Sequence, residues 1–493
     1  MKTIKYTPFL LALGLVFGVG ACTEDKLDEI DTNPNTPTDS PVQLLLPQVE
    51  VDAAFGISGT DLAWISSVFV EHTTGVHAQF ENLDKRAVGS FTNNTTSNNW
   101  NDIYAGELVD LNLIIQKGSD GGSEAGAWRY VGIAKVLKAY TLGITTDLFG
   151  RIPYSEALQG DALLKPVYDK QQDIYTVIDD LLTDAIVDLD KTSSKSPTNA
   201  DLFYGGDAAK WKKVAYSLKA RYYNHLSKRD PAGSADKALA AAAQGFASPA
   251  DNFTFTKYTT AAIGQNPWYQ EQNDRGHFAV SATFYSILQN GTPTVTADDD
   301  PRIPFLVDPV GRNASNPRVA APNGTAIADQ GGTTYSRIST NIVDATSAQP
   351  LMTYAELKFI EAEAQLRKGN ATAAYDAYVA GVNADLNAKG GSTYTNSTST
   401  NANVIAFRAK VFMGASNLTL RDIITQKYVA AFPYMSIESY NDYRRTGFPV
   451  LNNPKGPAPR RFPYPQSEID TNGDNVPNVP LASGVWWDDG TED

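Results

Sequence analysis

The chain has 493 residues, 41 basic against 55 acidic side chains, a formal net charge of −14 and a single cysteine. An acidic surface disfavours nucleic acid and anionic lipid head groups as partners. A composition of 42% hydrophobic and 19% charged residues excludes a disordered chain, and a lone cysteine excludes an intramolecular disulfide. At the start of the chain, Lys2 and Lys5 precede an apolar run from Phe9 to Val19 that is too short to span a bilayer. Val19-Gly20-Ala21 then place small residues just ahead of Cys22. This arrangement predicts a lipoprotein signal peptide over residues 1–21, with Cys22 as the lipidated first residue of the mature chain. Several acyl chains on one cysteine exceed the two signals needed for stable anchoring, so the protein is expected on a membrane surface, outside the cytoplasm.

Residues 22–41 read as a flexible tether, rich in Thr, Asp, Glu, Asn and Pro, with a reach of about 25 Å. From residue 42 to 493 the chain reads as one domain whose dominant period is helical. Helices are predicted over 128–147, 171–190, 234–245 and 418–432. Trp211, Val214, Ala215, Leu218, Tyr222 and Leu226 recur at spacings of three and four and lay one apolar stripe along a helix, with Asp207 as its N-cap. Thr353-Tyr354-Ala355-Glu356 is a capping-box sequence, and Gly369 is the expected stop. With a second helix over 371–387, the segment has about the size of a tetratricopeptide unit. The predicted fold class is mainly α: a tetratricopeptide-like helix-pair scaffold with long irregular loop insertions and few short strands. The insertions fall at about 247–276, 290–350 and 389–402, and 448–493 reads as an ordered, proline-rich tail anchored by Trp486 and Trp487. The 290–350 stretch is too long for an idle connection.

The usual catalytic signatures are missing: no G-x-S-x-G elbow, no P-loop and no G-x-G-x-x-G. His72 and His77 are five residues apart, where a zinc helix needs four, so they, His225 and His277 read as structural. Asp470 to Asn475 starts like a calcium loop, but the closing acid is absent and a solvated turn is the better reading. Asp298-Asp299-Asp300 could also collect a cation, and a loop before Pro301 explains it equally well. Neither metal nor cofactor is predicted. Aromatics in polar surroundings carry more promise, because a flat ring stacks on a sugar face while neighbouring amides and guanidinium groups bind its hydroxyls. The candidates are Trp100 and Tyr104, beside Asn98, Asn99 and Asn101, and then Trp268 and Tyr269 with Asn273 and Arg275. Trp100 serves equally well as a core plug, whereas Trp268, in an irregular stretch, is expected to be exposed.

Several patches, in this order, resemble the SusD/RagB family of nutrient-binding outer-membrane lipoproteins of Bacteroidetes, and most of all its second SusD-like subgroup. They are the lipobox followed by Asp31-Thr32-Asn33-Pro34-Asn35, the run Asp147 to Ala157, Gln172 to Tyr175 and Gly206 to Trp211. Asp300-Pro301-Arg302, Glu356 to Ala364, Tyr440 to Gly447 and Arg460 to Pro465 complete the series. The resemblance implies a helical fold with a ligand face built from inserted loops, and a TonB-dependent (SusC-like) β-barrel transporter as partner. In its light Glu24-Asp25 suits a surface-export signal as well as plain solvation. The expectation is a non-enzymatic surface lipoprotein that captures oligosaccharides and delivers them to the transporter. Oligopeptide capture, a secreted glycosidase and a structural adaptor are the alternatives. The patches mark scaffold more than pocket and transfer no binding residues.

Overall fold

The computed structural model describes residues 40–291, 299–390 and 400–489. Cys22, the leader before it, nearly all of the 22–41 tether, Asp298 and most of the 389–402 insertion lie outside the described residues.

Helices dominate, and their ends follow local chemistry. The first are α1 (Val42–Asp52), α2 (Asp61–Phe69), α3 (Ala78–Asp84) and α4 (Leu108–Gly118). Then come α5 (Trp128–Phe149), α6 (Gln171–Asp190), α7 (Ala208–His225) and α8 (Pro231–Ala242). After the loop-rich middle follow α9 (Tyr354–Arg367), α10 (Ala371–Gly390), α11 (Ala402–Val411), α12 (Leu420–Ala431) and α13 (Ser436–Thr446). The Asp207 carboxylate caps α7 by accepting from Ala209 N at 2.9 Å and Lys210 N at 3.2 Å. Thr353 caps α9 by accepting from Glu356 N at 3.1 Å. The predicted reciprocal half of that box is missing, because the Glu356 carboxylate turns inward to Arg221. Gly369, at φ 79°, closes α9 in the left-handed region that glycine adopts without strain.

Successive helices pack side by side from α4 to α10, and α12 and α13 return against α9 and α2. This is the predicted helix-pair scaffold. Its interior holds Trp211, Val214, Ala215 and Leu218 from the apolar stripe of α7, all fully buried. Full burial of each such large side chain contributes about 1.5–3 kcal/mol, the main term holding the pairs together.

The middle of the chain, 243–353, is built differently. Its regular structure is short: β4 (Phe253–Phe255), β5 (Phe278–Val280) and β6 (Gln349–Met352), with helices of at most seven residues between. The earlier strands are β1 (Thr73–Gly75), β2 (Ile152–Pro153) and β3 (Tyr168–Asp169). Among the described residues these make three antiparallel two-stranded ladders, β1–β5, β2–β3 and β4–β6. The first and last matter most here, since they fasten the loop-rich middle to the start of the chain and to itself. The described part of the tail, 448–489, packs onto the core as expected: Phe462 and Trp487 are fully buried. Asp470 to Asn472 ends a short helix, Gln466–Asn472, rather than opening an ion-binding loop.

Candidate functional site

The structure separates the predicted aromatic candidates. Trp100 is 1% exposed, lies over Tyr168 with ring planes 16° apart, and packs edge-on against Phe149. Tyr104, half-buried beside it, donates its hydroxyl to Pro153 O at 2.8 Å. This patch is a core plug. The exposure expected of Trp268 is overturned: it is also 1% exposed, edge-on to both Trp64 and Tyr434. The reason is local. The Asn266 side chain accepts from Trp268 N at 2.9 Å and from Tyr269 N at 3.3 Å, and donates to Ser347 O at 3.0 Å. That cap fixes the direction of a short helix, Pro267–Gln270, which points Trp268 inward and leaves Tyr269 half-buried.

The chain then makes a π-turn over Glu271–Arg275, ended by Gly276 at φ 63°. Asn273 and Arg275 are exposed on this turn. Asn273 and its neighbour Gln272 line a surface cleft of about 380 Å³ opposite Arg312, Gln330, the Gly331-Gly332 pair and Arg337. Gln330 donates to Arg275 O at 3.1 Å, and a side chain on Gly276 would come within 2.4 Å of Gln330 O, so the two walls touch through backbone. The far wall is held just as firmly. One Asp329 carboxylate accepts from Thr333 N at 2.9 Å and Tyr335 N at 2.9 Å. The Arg337 guanidinium is tied to Phe278 O and Asp329 O. The cleft is thus a preorganised recess lined by side-chain amides and guanidinium groups. It lies within the size range of small-ligand pockets. Of the predicted site residues, Asn273 lines the cleft, Tyr269 and Arg275 belong to the short helix and turn that form its wall, and Trp100, Tyr104 and Trp268 do not reach it.

Gln272, Arg312, Gln330 and Arg337 were not singled out by sequence. The available signal was the length of the 290–350 segment and its paired glycines, which announce a loop but not which other loop it meets.

A second recess runs between residues 86–93 and the tail. It comprises two adjoining cavities of about 340 and 470 Å³ that share Phe91 and Leu481, and its walls include Pro457, Pro459 and Pro480. Its lining is more apolar.

The charged patches quoted above converge elsewhere, in the helix-pair interior. Asp147 accepts from Trp487 Nε1 at 2.8 Å and Asn441 Nδ2 at 3.2 Å. Arg221 holds Glu356 through two bonds of 2.8 and 2.7 Å, and Arg445 pairs with Glu363 and with Asp442 at 2.8 Å. Arg302 joins Asp300 and Asp385 at 2.6 Å each. His225 lies between Asp147 and Glu438, at 3.2 and 3.0 Å. Burial alone would lower its pKa, but Glu438 and then Asp147 raise it to about 9. His72 shows the opposite outcome: burial drives it down to about 3, with Nε2 on Tyr428 O at 2.9 Å. Asp147, His225 and Glu438 also bring three ligand-type atoms within 4.8 Å. Both ring nitrogens of His225 are already engaged, with Tyr175 and Glu438, so the cluster is a charge network.

A helix-pair scaffold carrying a polar cleft in its inserted loops defines a class of helical binding proteins. Residues 34–465 match the SusD-like family whose description reads "starch-binding associating with outer membrane", and the chain belongs to that family. A SusD/RagB family protein from Bacteroides thetaiotaomicron is similar over 92% of this chain and 100% of its own, at 29% identity and a TM-score of 0.78. A protein described as chitin-binding covers 91% of this chain and 100% of its own, with 26% identity and a TM-score of 0.73. A chitin-binding SusD homolog from Flavobacterium johnsoniae, at 22% identity, covers 91% of this chain and 98% of its own with a TM-score of 0.73, and supports the fold. No curated protein matches the chain. Among the described residues no helix is long and apolar enough to cross a membrane.

Proposed function

We propose that this protein captures oligosaccharides at the outer-membrane surface, anchored through lipid on Cys22, and delivers them to a TonB-dependent, SusC-like β-barrel transporter. It performs no chemistry on the ligand. The observation that carries the reading is the cleft of about 380 Å³ lined by Gln272, Asn273, Arg312 and Gln330, on a chain whose family is described as starch-binding. Amides and guanidinium groups are matched to hydroxyl-rich ligands, and Tyr269, half-buried next to the turn, is the nearest of the predicted rings for a sugar face. The relatives described as chitin-binding support an oligosaccharide as the ligand class.

A glycan array followed by calorimetry on the best hits tests this directly. Oligosaccharide binding without product formation, weakened in Arg312→Ala and Asn273→Ala, is the expected result; released products would instead establish a hydrolase. Palmitate labelling of the wild type and its loss in Cys22→Ala test the anchor, and co-purification of a β-barrel from outer membranes tests the partner. The second reading, oligopeptide capture, is favoured by the apolar recess of Phe91, Pro457, Pro459 and Leu481. Binding of peptides but not glycans would select it.

A further inference from the structure

Of the four histidines, His72 and His225 are fully bonded inside the scaffold, and the other two meet at the base of the cleft wall. The β1–β5 ladder extends past its last pair, Gly75 with Phe278, because Val76 N donates to His277 O at 2.8 Å. That extension brings His77 beside His277, with ring centroids 5.5 Å apart. Glu271, the first residue of the π-turn, meets His277 as well: His277 Nδ1 lies 2.9 Å from its Oε1.

His277 and Glu271 are only 5% and 2% exposed, yet His277 Nδ1 and both Glu271 carboxylate oxygens have no hydrogen-bond partner. Nitrogen and oxygen are close but not aligned for an N–H···O bond. A buried carboxylate in that state is costly. Two ligand atoms at right angles around one cation, each about 2.0–2.2 Å from it, sit about 3 Å apart, and about 3.4 Å apart in a tetrahedral site. The 2.9 Å found here is close to the first.

The geometry points to a divalent transition-metal site in which Glu271 and His277 are ligands already in place and His77 rotates to become the third. Imidazole and carboxylate together suit Zn²⁺, Cu²⁺ or Ni²⁺ rather than Ca²⁺ or Mg²⁺. Glu271 opens the turn that carries Gln272 and Asn273, and His277 adjoins β5, so a bound ion pins the cleft wall to the strand beneath it. The site goes beyond ligand capture and does not depend on it.

The test uses the full chain purified without a histidine tag, stripped with chelator and titrated with Zn²⁺ by calorimetry, with visible absorption of the Co²⁺ form as a second readout. One equivalent is expected to bind, with affinity falling roughly 10-fold or more in His77→Ala and in Glu271→Gln, and the Co²⁺ d–d band lost in His277→Ala. His77 is half-buried at the start of α3 and caps nothing with its side chain, so its variant keeps the test decisive if His277→Ala does not fold. Absence of Zn²⁺ binding at micromolar concentrations overturns the site. So does binding unchanged in folded His77→Ala and Glu271→Gln, which moves the ion to another cluster.

Discussion

In the helix-pair half, Arg221, Glu356, Glu363 and Arg445 are charged and nearly inaccessible; around the cleft, Asn273, Arg312 and Gln330 are polar and exposed. The first set is satisfied by partners far away in sequence, as when Arg221 on α7 grips Glu356 on α9. The second is positioned by backbone, through Asp329, Arg337 and the left-handed Gly276. The contrast explains why the charged family patches mark scaffold: a buried charge without its partner is a large penalty, so its identity is constrained by folding itself. Asn273, Arg312 and Gln330 face water, and changing them is expected to leave the fold intact, unlike the buried brace Arg337. On the proposed function, stability and ligand choice would therefore reside in different parts of the molecule.

The sharpest way to break this division is Arg445→Ala, which removes the cation that Glu363 and Asp442 share and leaves them only Arg367 and Lys427. A loss of about 3–5 kcal/mol is expected in urea unfolding. A loss near zero would show that the interior network contributes little. Trp268→Ala follows, with about 3 kcal/mol or more lost to the cavity left against Trp64 and Tyr434. Affinity per folded molecule should stay unchanged, because the ring is buried away from the cleft. His225 supplies a pH test. Its folded pKa of about 9 lies above the ordinary value of 6.5, so its contribution is fully present below pH 6.5 and is lost as pH rises through 9. Unfolding midpoints should fall across that window in the wild type. The fall should be shallower in His225→Gln, and equal slopes would remove the imidazolium from the network. Asp207→Ala removes the cap of α7 and should cost about 1 kcal/mol. Arg312→Ala should move stability by no more than about 0.5 kcal/mol while weakening oligosaccharide binding, which completes the comparison from the other side.

Much of the scaffold was legible in sequence because helices are local. The 171–190 segment is predicted and observed over the same residues, and Asp207, Thr353 and Gly369 act at the helix ends where their chemistry puts them. The aromatics were not legible in the same way. Whether Trp268 faces water depends on Trp64 and Tyr434, some two hundred residues before it and more than 160 after it, and on Asn266 bonding to Ser347 O. Polar neighbours in sequence signalled exposure, but those neighbours were using their polarity to cap and brace a buried turn. Asn273 could be picked out because it follows that turn; Gln330 and Arg312 could not, since a long loop announces itself without announcing what it meets.

By itself, then, the order of residues determined the helical periods, the caps, the acidic surface and the patches that belong to the SusD-like family. These depend on contacts within a few turns or on composition. Only the tertiary structure decided which polar residues share the cleft, which tryptophans are hidden, and that His77 and His277 come together with Glu271. Those pairings span tens to hundreds of residues and are set by how the packed helices and short ladders bring distant loops to one place.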